Sequence, residues 1–348
     1  MLQPDFVFRG HQSAVNCVHF MCDSRFLVSG DQDGKLIVWN MLLKRQLASV
    51  STAHSGAVLA ISSTKTTIIT QGRDNKLCLW LLDAQEFSGT LQLQRTLDIE
   101  SMNFCKFSSM SEWVAGLVAG STESAFVYNV EQDKRLTFSI ERKSFTRMGT
   151  RQDTPMCLYL SYNDKLELLV GYESNTLQCV ELLVQDNSAD SRIKYAVDLP
   201  HKEPLMSIDM DAQKQMIYTC AADNTICCLA AEPSNGKDIK TAVIPHSGSS
   251  HIRCFAAANL VAVAGWDYAL HLYTLNLNPI QKLCFHRAAL TCVDMSSKSN
   301  QPLLGIDNEL AQQRWMSQPQ WIAVASRDSR ISLWNKSRIN HTHDPTST

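Results

Sequence analysis

The sequence predicts an all-β fold, a seven-bladed β-propeller in which an N-terminal strand closes the last blade. Three observations carry that prediction. A turn-and-strand pattern returns seven times along the 348 residues, most clearly as LVSGDQDGKLIVW at 27–39, ITQGRDNKLCLW at 69–80 and IAVASRDSRISLW at 322–334. The copies recur at intervals of 41 to 61 residues, which are the roughly 40–45 residues of a four-stranded blade plus loop insertions. Within each copy apolar residues alternate with period two, as in Leu36/Val38, Leu77/Leu79, Leu270/Leu272 and Ile331/Leu333, which is strand geometry with one face turned inward.

Each unit is expected to supply four antiparallel strands, a to d from the axis outward. Strand c ends on a bulky anchor, and the seven anchors are Trp39, Trp80, Tyr128, Val180, Leu229, Tyr273 and Trp334. Six residues before each stands a turn residue: Asp33, Asp74, Thr122, Ser174, Asp223, Asp267 and Asp328. Asp, Ser and Thr suit a turn because their side-chain oxygens accept from backbone N–H groups two residues on. Repeats three and four are weak and gain support from their neighbours. After Trp334 the chain is too polar for a further strand, so the outer strand of the last blade is assigned to Phe6-Val7-Phe8. Such closure removes exposed sheet edges. The propeller is expected over 1–336, with a polar tail over 337–348.

A His opens several units: His11, His54, His201 and His286. In the first, His11, Ser29, Asp33 and Trp39 are placed for a relay in which the imidazole bridges the turn Asp and the strand-b Ser, and that Ser meets the indole N–H. The second unit offers His54, Thr70, Asp74 and Trp80. The fifth has His201, Thr219 and Asp223 but ends on Leu229. The seventh has His286, Asp328 and Trp334, with Val324 where the hydroxyl is expected. Buried polar groups must be paired, so such relays fix strand register.

These repeats resemble the WD40 family from Phe6 to Asn335. The Trp-Asp dipeptide is absent from the strand ends, where Trp39 and Trp334 are each followed by Asn; its literal copy, Trp266-Asp267, lies in a turn. Residues 31–39 look like heterotrimeric G-protein β-subunits, but the first strand begins near Phe6, which leaves no room for their N-terminal helix. The chain is more similar to the guanine nucleotide-binding protein β-subunit-like protein 1 family, related to the ASTRA-associated WD-repeat protein. The segments that carry this are QGRDNKLCLW at 71–80, MCL at 156–158, LLVGYE at 168–173, HKEP at 201–204, AGWD at 264–267 and RDSRISLW at 327–334. The resemblance implies a scaffold that assists the co-chaperone machinery maturing phosphatidylinositol-3-kinase-related kinases of the TOR and ATM type, in cytoplasm and nucleus. Two rivals are a G-protein-β-like signalling scaffold and a substrate receptor of a cullin ubiquitin ligase. The Trp-Asp-x-Arg ending frequent in such receptors is missing at Trp39-Asn40-Met41-Leu42 and Trp334-Asn335-Lys336-Ser337.

Composition points away from chemistry and towards binding. Formal charge is −2, which supplies no global field for nucleic acid or anionic lipid. No apolar run approaches the ~20 residues of a membrane span. The twelve cysteines are scattered, and most fall in apolar strands (Cys17, Cys78, Cys157, Cys220, Cys228, Cys254, Cys292), as expected of small buried hydrophobes in a reducing compartment. Cys227 and Cys228 point to opposite faces of a strand and cannot chelate together. There is no phosphate loop, zincin motif or nucleophile elbow, so no catalytic, metal or cofactor residues are assigned. The Ser, His and Asp of the first two units are accounted for as register locks. Lys134, Arg135, Arg142, Lys143, Arg147 and Arg151 are interrupted by Glu131, Asp133, Glu141 and Asp153 and read as a solvated loop rather than a nucleic-acid surface. A monomeric propeller within a larger protein complex is expected, without nucleic acid, membrane or small-molecule substrate.

Insertions are placed at 83–90, 131–134, 184–192 and 232–238 after strand c, and at 297–320 between strands a and b of the last unit. All emerge on one face, the bottom. The 141–154 link, within the longer stretch 131–154, lies nearer the top. Trp315 is a candidate docking residue. The residue before each turn is expected to project from the top face: Gln32, Arg73, Ser121, Glu173, Ala222, Trp266 and Arg327. Arg and Trp are enriched at binding hot spots, so Arg73, Glu173, Trp266 and Arg327 are the candidate partner contacts.

Overall fold

The computed structural model describes residues 2–65, 67–85, 88–100, 105–121, 123–140, 153–163, 165–233, 238–297 and 317–339. Seven four-stranded antiparallel sheets follow one another around a ring. The first consists of Val15–Met21, Phe26–Asp31, Leu36–Asn40 and Arg45–Val50. The last joins Leu290–Met295, Trp321–Ser326 and Arg330–Asn335 to the N-terminal strand Phe6–Arg9. Phe6 pairs with Leu333 and Arg9 with Arg330, so the predicted closure is present. It reaches slightly further than expected. Asp5 accepts from the Asn335 backbone N–H at 2.9 Å and pairs with Arg338, and Ile339 is buried against blade 6 and 7 residues. Ile339 thus fills an apolar slot at the end of the described chain.

All seven predicted anchors are buried, each on strand c of its blade. The cores are sandwiched between adjacent blades: Trp39 and Phe8 share one cluster, and Tyr128 packs with Leu77 and Leu79 of the preceding blade. Each blade thus stabilises its neighbours, as in other repeat architectures. The twelve cysteines are all free, and nine are buried. Burial pushes the Cys220 and Cys227 thiols up to about 12, which leaves them protonated and unreactive.

Polar staples join the innermost strands. Asp294 of blade 7 accepts from the Phe20 N–H of blade 1 at 2.8 Å, and Asp209 of blade 5 accepts from the Cys254 N–H of blade 6 at 2.6 Å. Ser108 of blade 3 takes the Leu160 N–H of blade 4 at 2.8 Å. Arg253 stands between the two acids, 3.7 Å from Asp209 and 3.4 Å from Asp294, beside a channel of about 230 Å³. Burial alone would raise the Asp294 carboxyl, but His19 and Arg253 hold it at about 2.

The insertions at 83–90 and 184–192 are not loose loops. The c–d ladders continue to Ala84↔Gly89 and Val184↔Ala189, each closed by a Gln-to-Ser turn (Gln85 N–H to Ser88 O at 2.8 Å, Gln185 N–H to Ser188 O at 2.9 Å). Alternating apolar side chains make the extensions worthwhile: Leu82 and Leu91 lean on blade 1, and Leu182 with Ala189 leans on blade 3. The stretches 141–152 and 298–316 lie outside the described residues, and with them Arg142, Lys143, Arg147, Arg151 and Trp315, as do Thr122 and most of the tail. Lys134 and Arg135 are not in a solvated loop: they open the strand Lys134–Ser139, where Arg135 lies over the Phe126 ring and donates to the Asp98 carbonyl at 2.8 Å.

Candidate functional site

The top face is organised by hydrogen-bonded relays at the d–a connections. In blade 2, His54 Nδ1 meets Asp74 at 2.9 Å, its Nε2 meets Thr70 Oγ1 at 2.8 Å, and the Trp80 indole donates to the same hydroxyl at 2.9 Å. A carboxylate at Nδ1 requires that nitrogen to carry the proton, so Nε2 accepts from the hydroxyl. Asp74 also takes the Ser55 N–H. In blade 5, His201 reaches Thr219 at 2.9 Å and Asp223 at 3.3 Å, and Leu229 fills the indole's place.

Blade 1 departs from the expected arrangement. His11 Nδ1 pairs with Asp31 at 2.7 Å, not with Asp33, while Nε2 meets Ser29 at 2.7 Å and Trp39 donates to Ser29 at 2.8 Å. Asp31 also accepts from the backbone N–H of Asp33 and Lys35, and Asp33 itself is exposed. The reason lies at the end of strand b. In blade 2 that position is Gly72, where a Cβ would sit 2.1 Å from His54 Nδ1 and 2.4 Å from Asp74 Oδ1. A glycine there leaves the space that the later Asp fills. Blade 1 has Asp31 at the equivalent position, so its own carboxylate fills the space and Asp33 is left in solvent.

Blade 7 departs in the opposite way. The hydroxyl missing at Val324 is supplied by Ser332, its direct cross-strand partner: His286 Nε2 meets Ser332 Oγ at 2.8 Å, and Trp334 donates to it at 2.8 Å. The relay is complete because the hydroxyl moved one strand across the ladder. Ser332→Val is expected to cost about 2–4 kcal/mol, since two buried polar groups lose their partner. Adding Val324→Ser is expected to recover most of it, measured by urea unfolding; no recovery would show that the two positions are not interchangeable. In blade 4 the polarity reverses, with Asp153 in the d–a connection accepting from the Ser174 N–H and hydroxyl at 2.9 and 2.6 Å. In blade 6, Asp267 pairs with His271 of strand c at 3.0 Å and with Lys282 at 2.7 Å.

The relays predict a two-stage acid response. Burial pulls the His54 and His201 imidazoles below their usual value despite their Asp partners. A depressed folded pKa means that unfolding takes up protons below the unfolded value of about 6.5, so this stability is present above ~6.5 and lost as pH falls. Asp31 and Asp328 are also depressed: burial opposes this, but their His partners and backbone donors prevail. Their contribution is lost below the unfolded carboxylate value of about 4. Melting temperature is expected to fall first between pH 7 and 5.5 and again below pH 4. The first step is expected to shrink in a His54→Asn, His201→Asn variant.

With the turns locked, six of the seven predicted top positions share one backbone bond. The N–H groups of Gln32, Arg73, Glu173, Ala222, Trp266 and Arg327 donate to carbonyls of Ala14, Ala57, Thr154, Pro204, Gly248 and Ala289 in the d–a connections, at 2.8–3.0 Å. Ser121 instead bonds Val118 within its own turn. Arg73, Glu173, Trp266 and Arg327 are all exposed. Trp266 is held by two contacts. Its ring lies on Gly248, where φ is +95° and a Cβ would fall 1.9 Å from the indole, and its Nε1 donates to Ser250 at 2.7 Å. It is 38% exposed all the same, with Tyr268 beside it at 50%. Arg287 and Arg327 are exposed on the next blade. A rotamer fixed before binding loses little entropy on contact, which favours Trp266 as an anchor. The turn aromatics Trp266 and Tyr268 were legible in the sequence only in part: Trp266 by its position, Tyr268 by nothing but its type. No group of three or more metal-ligating side chains occurs among the described residues.

Residues 2–40 match the family model described as WD domain, G-beta repeat. The matched stretch comprises the outer strand of blade 7 and strands a to c of blade 1, so the sequence repeat is offset from the blade by one strand. The chain is 25% identical to guanine nucleotide-binding protein subunit beta-like protein 1 of Mus musculus, covering 95% of each. It is 26% identical to ASTRA-associated protein 1 of Schizosaccharomyces japonicus, covering 95% of this chain and 98% of the relative, and 25% identical to ASTRA-associated protein 1 of Verticillium alfalfae, over 95% and 92%. A seven-bladed ring, His–hydroxyl–Trp relays and similarity along nearly the whole chain converge: this is a seven-bladed β-propeller with a match to the WD40 repeat model at its first repeat, and it resembles G-protein β-subunit-like protein 1 and ASTRA-associated protein 1.

Proposed function

We propose that this propeller is a non-enzymatic protein-interaction scaffold that assists the co-chaperone machinery maturing phosphatidylinositol-3-kinase-related kinases, in cytoplasm and nucleus. The observation that supports this most is the end-to-end similarity to proteins named as ASTRA-associated, with no long region of either chain left over. The top face supports a binding role: its projecting residues are held by backbone bonds, and its exposed Trp and Arg side chains are of hot-spot type. The polar groups that would suggest hydrolytic chemistry are already engaged in the relays.

Affinity capture of the full chain from cells is expected to recover kinase co-chaperones; recovery of cullin adaptors alone would overturn the reading. Arg73→Glu with Trp266→Ala is expected to reduce that recovery at least tenfold with the melting temperature within a few degrees of wild type. Undiminished recovery would place the contact elsewhere on the ring.

A further inference from the structure

The closing strand brings two arginines face to face. Arg9 ends the strand Phe6–Arg9, Arg330 opens the strand Arg330–Asn335, and the two are direct partners across the ladder. Their neighbours Phe8 and Ile331 pack towards blade 1, in the cluster that holds Trp39. Side chains alternate along a strand, so Arg9 and Arg330 stand together on the other side of the sheet. That is the side on which Trp334 packs with Leu270, Leu272 and Leu283 of blade 6. Like charges directly opposite in an antiparallel pair are destabilising. The closure of the ring thus builds a repulsion into the top of the crevice between blades 6 and 7.

Two more arginines meet at this corner. The backbone N–H groups of Arg287 and Arg330 both donate to the Asp328 carboxylate, each at 3.1 Å, and the Arg327 N–H donates to the Ala289 carbonyl at 3.0 Å. Arg9, Arg287 and Arg327 are exposed, and Arg330 is half-buried. None of the four side chains enters an ion pair among the described residues.

The acids nearby are already engaged. Asp328 is turned inward onto His286 at 3.0 Å, and its side chain is 11% exposed. Asp267 of blade 6 is held by His271 and Lys282, and Asp31 of blade 1 by His11. Lys35 adds a further cation beside Arg9, bonding the Gly10 carbonyl at 2.9 Å. Over the tops of blades 6, 7 and 1 six Lys and Arg side chains stand against four acids, of which Asp33 alone is fully exposed. The excess is local, since the chain as a whole carries −2.

We propose that this corner docks an acidic segment of a partner protein, with two or more Asp or Glu side chains on Arg9, Arg287, Arg327 and Arg330 and an apolar side chain on Trp266 or Tyr268 of the neighbouring blade. The inference rests on the binding role proposed for the top face and adds the chemistry of the partner. Guanidinium forks match carboxylates bidentately, and clusters of Arg are a recurrent way of reading acidic motifs. Nucleic acid and anionic membranes reward an extended basic surface. Four arginines on one blade, beside rings that are 38% and 50% exposed, suit a short mixed acidic and apolar peptide instead.

The test is selection of a displayed random-peptide library on the full-length protein, followed by fluorescence anisotropy with the selected peptides. Enriched sequences should carry at least two Asp or Glu beside a bulky apolar residue. Their affinity should fall about tenfold between ~0.05 and ~0.3 M salt. Arg9→Glu turns the like pair into an ion pair with Arg330, so the melting temperature should hold or rise while the peptides weaken about tenfold. Should that variant fail to fold, Arg287→Gln with Arg327→Gln should weaken the same peptides without adding a charge to the ladder. Lys65→Gln on the bottom face should change nothing. Enrichment without acidic residues, or binding insensitive to both arginine variants, would overturn the proposal. So would tighter binding of a DNA oligonucleotide or of phosphatidylserine vesicles than of any selected peptide, since the occupant would then not be a protein. Co-chaperone capture lost in the Arg73→Glu, Trp266→Ala variant, with no acidic peptide enriched, would keep the scaffold reading and overturn this one. Acidic peptides that depend on Arg9, with no co-chaperone recovered, would do the reverse.

Discussion

Removal of residues 1–9 is expected to cost more than half of the protein's stability. A domain is stabilised by about 5–15 kcal/mol in total, and the N-terminal strand contributes several separate terms. Phe8 is 2% exposed and packs on Trp39 with ring centroids 4.6 Å apart, and Phe6 meets Phe8 edge-on at 5.0 Å. Loss of a buried Phe side chain alone costs about 3–5 kcal/mol. Deletion also strips the ladder partner from Arg330–Asn335 and opens a raw sheet edge, which invites aggregation. The expected readout is a melting temperature lower by more than ~10 °C, or an insoluble product, with partial recovery when a synthetic 1–12 peptide is added. An unchanged melting temperature would mean that the ring holds without its closing strand.

The second large effect separates two acids that stand two residues apart. Asp31→Ala is expected to destabilise by about 3–5 kcal/mol, the cost of leaving several donors without their charged acceptor. The change removes the partner of His11 Nδ1 and the acceptor for two turn N–H groups. Asp33→Ala is expected to stay within about 0.5 kcal/mol, because its side chain is exposed and away from the relay. Denaturant midpoints of the two variants decide it. A loss from Asp31→Ala as small as that from Asp33→Ala would mean that Asp33 takes over when Asp31 is absent.

That contrast also shows what could be read in advance and what could not. The anchors, the blade count and the closing strand followed from period-two alternation and turn residues, which are local properties of the chain. His54, Thr70, Asp74 and Trp80 were legible as a set because they sit at their regular offsets. Asp31 was missed because counting back from Trp39 selects an offset, whereas the structure selects whichever carboxylate reaches the His pocket. The signal was the residue at the end of strand b: Gly72 leaves room for a later Asp, and Asp31 occupies that room itself. Ser332 was missed for a related reason. A hydroxyl on either of two paired strands reaches the same imidazole, and pairing is invisible until register is known. The arginines over blade 7 come from three separate stretches of chain, and the sequence marked only Arg327 among them as a contact.

The bond between Phe6 and Leu333 has a consequence for how the protein is made. Ribosomes add about 5–20 residues per second. The strand that leaves first therefore waits roughly 15–65 s for its partner to be translated. Loop closure over such a separation is slow compared with pairing inside a blade. Trp39 emerges within seconds, however, and offers Phe8 a surface on which to rest. The aromatic contact that seals the finished ring is thus available early to its unpaired end, and a nascent chain carrying Trp39→Ala is expected to be more exposed to proteolysis before synthesis is complete.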